Sequence, residues 1–243
     1  MLMSVIEGAL SAPAYPELAG KRVLVTGLTS KCGVDIARAF AEHKGRLILQ
    51  FAETSVAMET VAEIVAPHAL ETKVYGPVGS EIDDVVQFAK TAMQAFGGLD
   101  VVINLVPLET QSLDPAATLA DVERLIATQL TLPFLISKIA ANRMSMVWTE
   151  GLILNVATLS ARAGGIKQAF AAVAKTGLVT MTRAQAEEWA GRAIRFNAIA
   201  PQTIQAANDP GLRGEPDIAS LALYLASGRG KTLSGCVFEA AVA

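Results

Sequence analysis

Two short stretches of the sequence carry residues that are able to do chemistry. QAFAAVAKTGL (168–178) holds one lysine, Lys175, among small and apolar residues. TGLTSKCG (26–33) joins an apolar run to a segment with helical spacing. A turn that leads from a strand into a helix presents backbone N–H groups to an anion. The sequence therefore offers a candidate phosphate-binding turn and a separate lysine.

The turn TGLTSKCG permits two interpretations. Gly27 allows a tight turn, and Gly33 lets the helix approach the strand closely. Lys31 stands where a dinucleotide-binding turn often needs a bare backbone, so its side chain either crowds a pyrophosphate or meets a phosphate as a point charge. Two glycines alone are a weak signal, and a turn that binds nothing is an equal alternative.

The end of the second apolar run bears on the choice of nucleotide. An acidic residue at that place normally accepts hydrogen bonds from the ribose of NAD. This chain reads QFAET (50–54), with Ala52 at the expected position and Glu53 one residue later. The sequence therefore disfavours NAD. Lys31 could accommodate the 2′-phosphate of NADP, but no arginine supports it.

Apolar runs alternate along the chain with segments of helical spacing. Continuous apolar strands alternating with helices predict a parallel sheet covered on both faces, and right-handed crossovers then give a doubly wound fold. Pro133 lies inside one long helical segment (119–142) and should kink or shift it. The predicted strands are 21–26, 46–51, 72–76, 100–105, 151–158, 194–201 and 235–240. We expect one domain over residues 20–243, preceded by an N-terminal extension of residues 1–19.

Composition excludes several functional classes. The 243 residues carry a formal net charge of −3 and contain no basic run, which disfavours nucleic acid as a partner. Uninterrupted apolar stretches fall short of the roughly 18 to 20 residues that span a bilayer, so we expect no membrane association. Two cysteines and two histidines give no metal-ligand spacing, and they fit a reducing cytoplasm without a metal site.

Six segments in order resemble the short-chain dehydrogenase/reductase family, over about residues 20 to 240. They are TGLTSKCG, LDVVINLVP (99–107), GLILNVATLSA (151–161), QAFAAVAKTGL, IRFNAIAP (194–201) and EPDIASLALYLAS (215–227). The resemblance implies a Rossmann-type fold with about seven parallel strands and helices on both faces. It also implies NAD(P) as the cofactor. The candidate cofactor-binding residues are Gly27, Ser30, Lys31, Gly33, Asn104 and Lys175.

The family's active site uses asparagine, serine, tyrosine and lysine, and this chain matches that set only in part. Gln129 stands at the position that resembles the asparagine, and Thr158 at that of the serine. Ala171 replaces the tyrosine, and Lys175 alone matches outright. The substrate loop between Pro201 and Glu215 is also shortened. The resemblance thus implies an oxidoreductase ancestry with catalytic remnants at Thr158 and Lys175.

Three functions follow from this pattern. The first is a non-catalytic member whose role is assembly, as a homodimer, a homotetramer or a mixed oligomer with an active paralogue, through the helices over 119–142 and 168–190. The second is an NAD(P)-dependent oxidoreductase that acts on a carbonyl or alcohol with Thr158, Lys175 and water. The third is a sensor that binds a dinucleotide without turnover. We favour the first, because alanine at 171 cannot donate a proton.

Overall fold

The computed structural model describes residues 14–29, 33–54, 56–79, 81–108, 118–159, 167–201 and 215–240. Seven parallel strands form one sheet. They are β1 (Arg22–Leu28), β2 (Arg46–Phe51), β3 (Glu71–Tyr75), β4 (Val101–Leu108), β5 (Gly151–Leu159), β6 (Ile194–Pro201) and β7 (Val237–Ala240). Their spatial order is β3-β2-β1-β4-β5-β6-β7, which confirms the predicted doubly wound sheet.

Helices lie on both faces of this sheet, as predicted. They are α1 (Val34–Glu42), α2 (Val56–Val65), α3 (Ile82–Ala95), α4 (Leu119–Ile126), α5 (Leu132–Met146), α6 (Lys167–Trp189) and α7 (Glu215–Ala226). Successive residues of a strand point to opposite faces. Val23 and Val25 of β1 therefore pack with α1 and α7, whereas Leu24 packs with α3 and α5. The central strands bury both faces, which explains the continuous apolar runs in the sequence, whereas the edge strand β3 is partly exposed.

The long helical segment predicted over 119–142 is two helices. A π-helical turn, Ala127–Thr131, joins α4 to α5, and Pro133 lies in the first turn of α5. Proline lacks an N–H and its ring clashes with the preceding turn, so a regular α-helix cannot continue through it. The predicted shift of the helix at Pro133 is confirmed, because a wider π-helical turn directly precedes the α-helix that begins near this proline.

The helical run Leu119–Met146 is the one run, within the part of the chain that the structure describes, that is long and apolar enough to cross a membrane. It has 28 residues and a mean hydropathy of 1.2. By length and composition alone, the expectation that no stretch could span a bilayer was therefore too strong. Ile136, Ala140 and Met144 of this run are buried in the core against α3 and the sheet. This burial is typical of a packed helix in a globular domain.

Strand β4 is longer than predicted, and this changes the surroundings of the candidate site. It continues to Leu108 and pairs with β5 along its whole length. Its pairing with β1 ends at Asn104. The segment NLVP (104–107) is therefore part of the sheet and not a loop. Beyond Asn104 one side of β4 has no described strand partner, and a proline such as Pro107 is tolerated at such an edge.

The residues before β1 pack on the body of the molecule. Pro16–Leu18 form one turn of 3-10 helix, and Leu18 is buried in the core. The Glu17 carboxylate accepts a hydrogen bond from the backbone N–H of Gly228 at 3.1 Å. The Tyr15 ring lies 5.9 Å from the ring of His43. Part of the predicted extension, from Tyr15 onward, thus contacts both α1 and the turn after α7.

Candidate functional site

The strand order places β1 and β4 side by side at the centre of the sheet. The chain crosses from β1 toward β2 on one side and from β4 toward β5 on the other. In doubly wound sheets a crevice opens outside the carboxyl ends of the strands at this reversal, and ligands bind there. The turn after β1 and the end of β4 therefore border the candidate site.

Two glycines of the turn adopt left-handed backbone conformations. Gly27 has φ +73° and Gly33, the residue before α1, has φ +85°. A β-carbon on Gly27 would lie 2.5 Å from the carbonyl oxygen of Leu105, and one on Gly33 would overlap the Leu105 side chain. Gly27 lies within β1, where the register with β2 shifts, and residues 30–32 of the turn lie outside the described residues, so the predicted tight turn is not tested. Gly33 does bring the start of α1 into close contact with β4. Packing of the turn against β4 is sufficient to require both glycines, so their presence does not need a ligand.

Gln50 on β2 satisfies part of the same turn. Its side-chain oxygen accepts a hydrogen bond from the backbone N–H of Gly27 at 2.9 Å. Its amide nitrogen donates to the carbonyl oxygens of Phe51 and Gly76. Gln50 is buried, whereas Ala52 and Glu53 just beyond β2 are exposed. The protein itself thus occupies one backbone donor of the turn, and no buried carboxylate stands at the end of β2.

Asn104, predicted to bind the cofactor, is the centre of a buried chain of hydrogen bonds. The Thr26 hydroxyl donates to its side-chain oxygen at 3.1 Å. Its amide nitrogen donates to Ser137 and to Asn155, each at 2.9 Å. Asn155 donates in turn to Thr182 on α6 at 2.9 Å. Asn104 therefore joins β4 to β1, α5 and β5, and Asn155 extends the chain to α6, so these hydrogen bonds have a structural role.

Lys175 lies at the carboxyl edge of the sheet and faces β7. Its ammonium nitrogen is 3.4 Å from a carboxylate oxygen of Glu239. The lysine side chain is 15% exposed and the glutamate side chain 48%. Glu239 stands beside Ala200 of β6. The single residue that matches the family outright is thus held, at least in part, by a carboxylate of its own chain.

Ala171 and Gln129 occupy the other two predicted positions on the helix side of the site. Ala171 is 0% exposed and packs in an apolar cluster with Val106 and Leu108 of β4 and Ala157 of β5. The described neighbours of position 171 are therefore apolar. Gln129 is also fully buried, in the π-helical turn, and neither polar atom of its side chain has a hydrogen-bond partner among the described residues.

The remaining predicted residues fall partly or wholly outside the described structure. Thr158 lies in β5, where it pairs with Pro107 of β4, but its side chain is outside the description. Ser30 and Lys31 of the turn lie outside the described residues, as does the shortened loop at 202–214. Nothing in the structure therefore bears on the contacts of these side chains.

The described part of the crevice fits a dinucleotide only in part. The two left-handed glycines and the start of α1 are features that a pyrophosphate-binding turn also has. Leu105 lies against that turn, Gln50 takes one of its N–H groups, and Ala52 supplies no acceptor for a ribose. Among the described residues, there is also no group of three or more His, Cys, Asp or Glu side chains that could hold a metal ion.

The sequence reasoning missed Gln50 and Glu239 as neighbours of the site. Both are strand residues, and both are polar in otherwise apolar runs. The carboxyl ends of parallel strands meet at one edge of the sheet, so a polar residue at a strand end is the signal that would have located them. Ser137 and Thr182, which complete the buried chain, gave no comparable signal within their helices.

Comparisons with known proteins agree with this geometry. The family model described as short chain dehydrogenase matches residues 21–215. A 3-oxoacyl-[acyl-carrier-protein] reductase of Synechocystis sp. is 30% identical over 200 residues, which cover 82% of this chain and 80% of the reductase. Momilactone A synthase of Oryza sativa is 31% identical over 244 residues, covering 90% of this chain and 88% of the synthase.

Solved structures of the same kind superpose on most of the chain. A short-chain type dehydrogenase/reductase from Mycobacterium marinum is 27% identical, with a TM-score of 0.76 over 91% of this chain and 94% of the other. A short chain dehydrogenase from Burkholderia cenocepacia, solved in complex with NADP, gives a TM-score of 0.72 at 21% identity, over 91% and 96% of the two chains. With a family model matched over most of its length, this chain belongs to the short-chain dehydrogenase family of oxidoreductases.

Proposed function

We propose that this chain is a non-catalytic member of its family that acts as a subunit of an oligomer. The observation that carries the proposal is the environment of Ala171. Reduction of a carbonyl by hydride builds an alkoxide, which needs a proton donor within hydrogen-bond reach. Alanine has no such group, and the buried apolar neighbours Val106 and Ala157 supply none. General acid catalysis typically contributes about 10²- to 10⁴-fold, and this chain lacks the usual residue for it.

The contact between Lys175 and Glu239 supports the same conclusion. A lysine that serves a cofactor ribose must present its ammonium to the bound cofactor. Here the ammonium lies near Glu239 of β7, and two strands, β5 and β6, separate β7 from β4. A bound cofactor would have to compete with Glu239 for this charge.

The helices around the site offer the surface for assembly. Leu119 and Ile126 of α4 and Val173 of α6 are exposed apolar side chains, and Val173 is 63% exposed. Gly177 of α6 lies against Leu130 of the π-helical turn, so these helices pack closely and present one shared face. Apolar faces of this kind favour a homodimer or homotetramer, or a mixed oligomer with an active paralogue.

Dinucleotide binding is the second candidate function, and the retained form of the turn favours it. Gly27 and Gly33 have left-handed conformations of the kind that a pyrophosphate-binding turn uses, and α1 begins directly after Gly33. With turnover, the chain would be an NAD(P)-dependent oxidoreductase that uses Thr158, Lys175 and water on a carbonyl or alcohol. Without turnover, it would be a dinucleotide sensor.

Calorimetric titration with NADH and NADPH, followed by a panel of carbonyl substrates, tests these functions. We expect no binding heat up to millimolar cofactor and no turnover. Micromolar binding without turnover would establish the sensor. Turnover that Lys175→Met abolishes and the control Lys138→Met, on the exposed face of α5, leaves intact would establish the enzyme. Turnover would overturn the non-catalytic assignment, and binding without turnover would replace the subunit role with that of a sensor.

A further inference from the structure

Both tryptophans of the chain border one recess of the surface. Trp189 ends α6, and Trp148 lies in the turn between α5 and β5 with φ +54°. A left-handed backbone is a genuine outlier for a bulky residue, and residues held in such conformations cluster at functional positions. The sequence contains only these two tryptophans, so every indole ring of the molecule lies at this recess.

The recess has the size and the walls of a small-molecule site. Its volume is about 450 Å³, and ligand pockets typically measure about 300–1,000 Å³. Met146 extends the apolar wall that the two tryptophans form, and Asn142 adds a side-chain amide. A mostly apolar and aromatic wall with a few polar groups is the usual composition of such a site.

This recess is separate from the candidate site in the crevice. It lies where α5 and α6 end, and these helices lead into β5 and β6, so it is at the amino edge of the sheet. The crevice is at the carboxyl edge. A ligand in the recess therefore requires neither a dinucleotide nor turnover, and its binding goes beyond the function proposed above.

Two charges of opposite sign line the recess without a partner. Glu188 and Arg192 are four residues apart, yet neither forms an ion pair with the other or with any other described side chain. The Arg192 guanidinium donates one hydrogen bond, to the Ser145 hydroxyl at 3.3 Å. A guanidinium has five N–H donors, so others remain for an anion. The recess thus offers a negative and a positive group to the same ligand.

The wall of the recess also contains an unsatisfied donor. The indole N–H of Trp189 is buried and has no hydrogen-bond acceptor among the described residues. Buried indole N–H groups usually find such a partner. An unsatisfied donor beside the Arg192 guanidinium favours a ligand that brings acceptor oxygens.

We propose that the recess binds a free α-amino acid with an apolar or aromatic side chain. Arg192 binds the carboxylate, Glu188 binds the ammonium, and the side chain of the ligand packs on the tryptophans and Met146. A ligand with one charge leaves Glu188 or Arg192 unmatched. A sugar or a free phosphate gives the apolar wall nothing to pack against. The zwitterion with an apolar group matches all three features.

Tryptophan fluorescence of the full chain tests the proposal directly, because both indoles report on this recess. The probes are L-phenylalanine and L-leucine, with excitation at the red edge of indole absorption, where neither ligand absorbs. We expect a saturable change in emission with a dissociation constant of about 0.1–1 mM, in the range of a small ligand with few contacts. Calorimetry repeats each titration, so that binding without a change in emission is also detected.

Two analogues of phenylalanine separate the two charges. N-acetyl-phenylalanine lacks the ammonium and phenylalanine amide lacks the carboxylate, and each should bind about fivefold or more weakly than phenylalanine. Glu188→Gln should weaken phenylalanine by the same factor and leave N-acetyl-phenylalanine unchanged, because the two changes remove one interaction. Arg192→Gln should behave in the same way toward phenylalanine and its amide.

The matched controls are Glu187→Gln and Arg183→Gln, which neutralise exposed residues of α6 outside the recess. Both should bind phenylalanine as the wild type does. The proposal is overturned by the absence of a saturable signal in both methods up to tens of millimolar amino acid. Equal affinities of the wild type for phenylalanine and its two analogues would also overturn it, and this comparison needs no variant to fold.

Discussion

At position 171 the chain has a buried methyl group, and the described residues packed around it are apolar. Val106, Ala157 and Leu178 contact the same buried cluster. No described residue of this cluster carries a proton-donating side chain. The proposed non-catalytic role depends on that observation at the residue scale.

Restoring a tyrosine at this position should not restore the reaction. Ala171→Tyr inserts a large ring into a packed cluster, and overpacking of this kind typically costs about 1–3 kcal/mol. We expect a lower urea midpoint for this variant and no carbonyl reduction. The control is Ala172→Tyr on the exposed side of the same helix, which should change the free energy of unfolding by less than about 0.5 kcal/mol. Full stability together with new reductase activity in Ala171→Tyr would show that the site had survived.

Sequence reasoning named candidate residues but not their contacts. It identified Gly27, Gly33 and Lys175 from local patterns, and the structure places all three near the carboxyl edge of the sheet. It did not find that Gln50 binds the turn or that Glu239 contacts Lys175. Those partners are more than 20 residues away along the chain, and only the sheet brings them together.

At the scale of elements, Arg22 and Asp100 join the amino ends of β1 and β4. The Arg22 side chain donates two hydrogen bonds to the Asp100 carboxylate, each at 2.9 Å, and its backbone N–H donates a third at 2.8 Å. Burial alone would raise the pKa of Asp100. The hydrogen bonds from Arg22 outweigh burial and hold the pKa of this carboxyl below its usual value.

This pair should make part of the stability depend on pH. A carboxyl with a lowered pKa in the folded state adds to the free energy of unfolding. That contribution is complete above the unfolded pKa of about 3.9, and it is lost as the pH falls through the folded pKa. Asp100→Asn should therefore lower the free energy of unfolding by about 2 kcal/mol at pH 7, and the gap to wild type should narrow below about pH 4. Urea denaturation of both proteins at pH 7, 4 and 3 measures this difference in the free energy of unfolding. The exposed Asp83→Asn serves as control, and a gap that is constant across this range would contradict the assignment.

The elements themselves were the most predictable part of the molecule. Strands β2 and β6 have the bounds that the apolar runs indicate, and the break at Pro133 follows from its missing N–H. Strand β4 extends three residues beyond its prediction, because pairing with β5 continues past the end of β1. Local patterns carry no information about where a neighbouring strand stops, so such extensions escape sequence reasoning.

At the scale of the whole molecule, residues 15–18 before β1 connect elements that are distant in the sequence. Leu18 is buried among residues of both α1 and α7, and Glu17 binds the turn after α7. Residues 15–18 thus contact both α1 and the turn after α7, which are far apart along the chain. Its role is that of core structure, although its sequence of prolines and small residues suggested only an extension.

Truncation of Leu18 should therefore destabilise the entire fold. Leu18→Ala removes a fully buried side chain, and such changes typically cost about 2–5 kcal/mol. We expect a single unfolding transition shifted to lower urea concentration, recorded by circular dichroism. Leu70→Ala, at an exposed position, should leave the midpoint nearly unchanged. Equal midpoints for the two variants would mean that the segment is an independent appendage.

The buried chain of hydrogen bonds through Asn104 has a consequence for how the fold can evolve. It aligns β1, β4, β5 and α6 through Thr26, Asn155 and Thr182, and it includes neither position 171 nor Lys175. Mutational drift at the reactive positions therefore leaves the alignment of the sheet intact. A lineage with this architecture can abandon its reaction while it still inherits its fold, and selection can then act on the remaining surfaces.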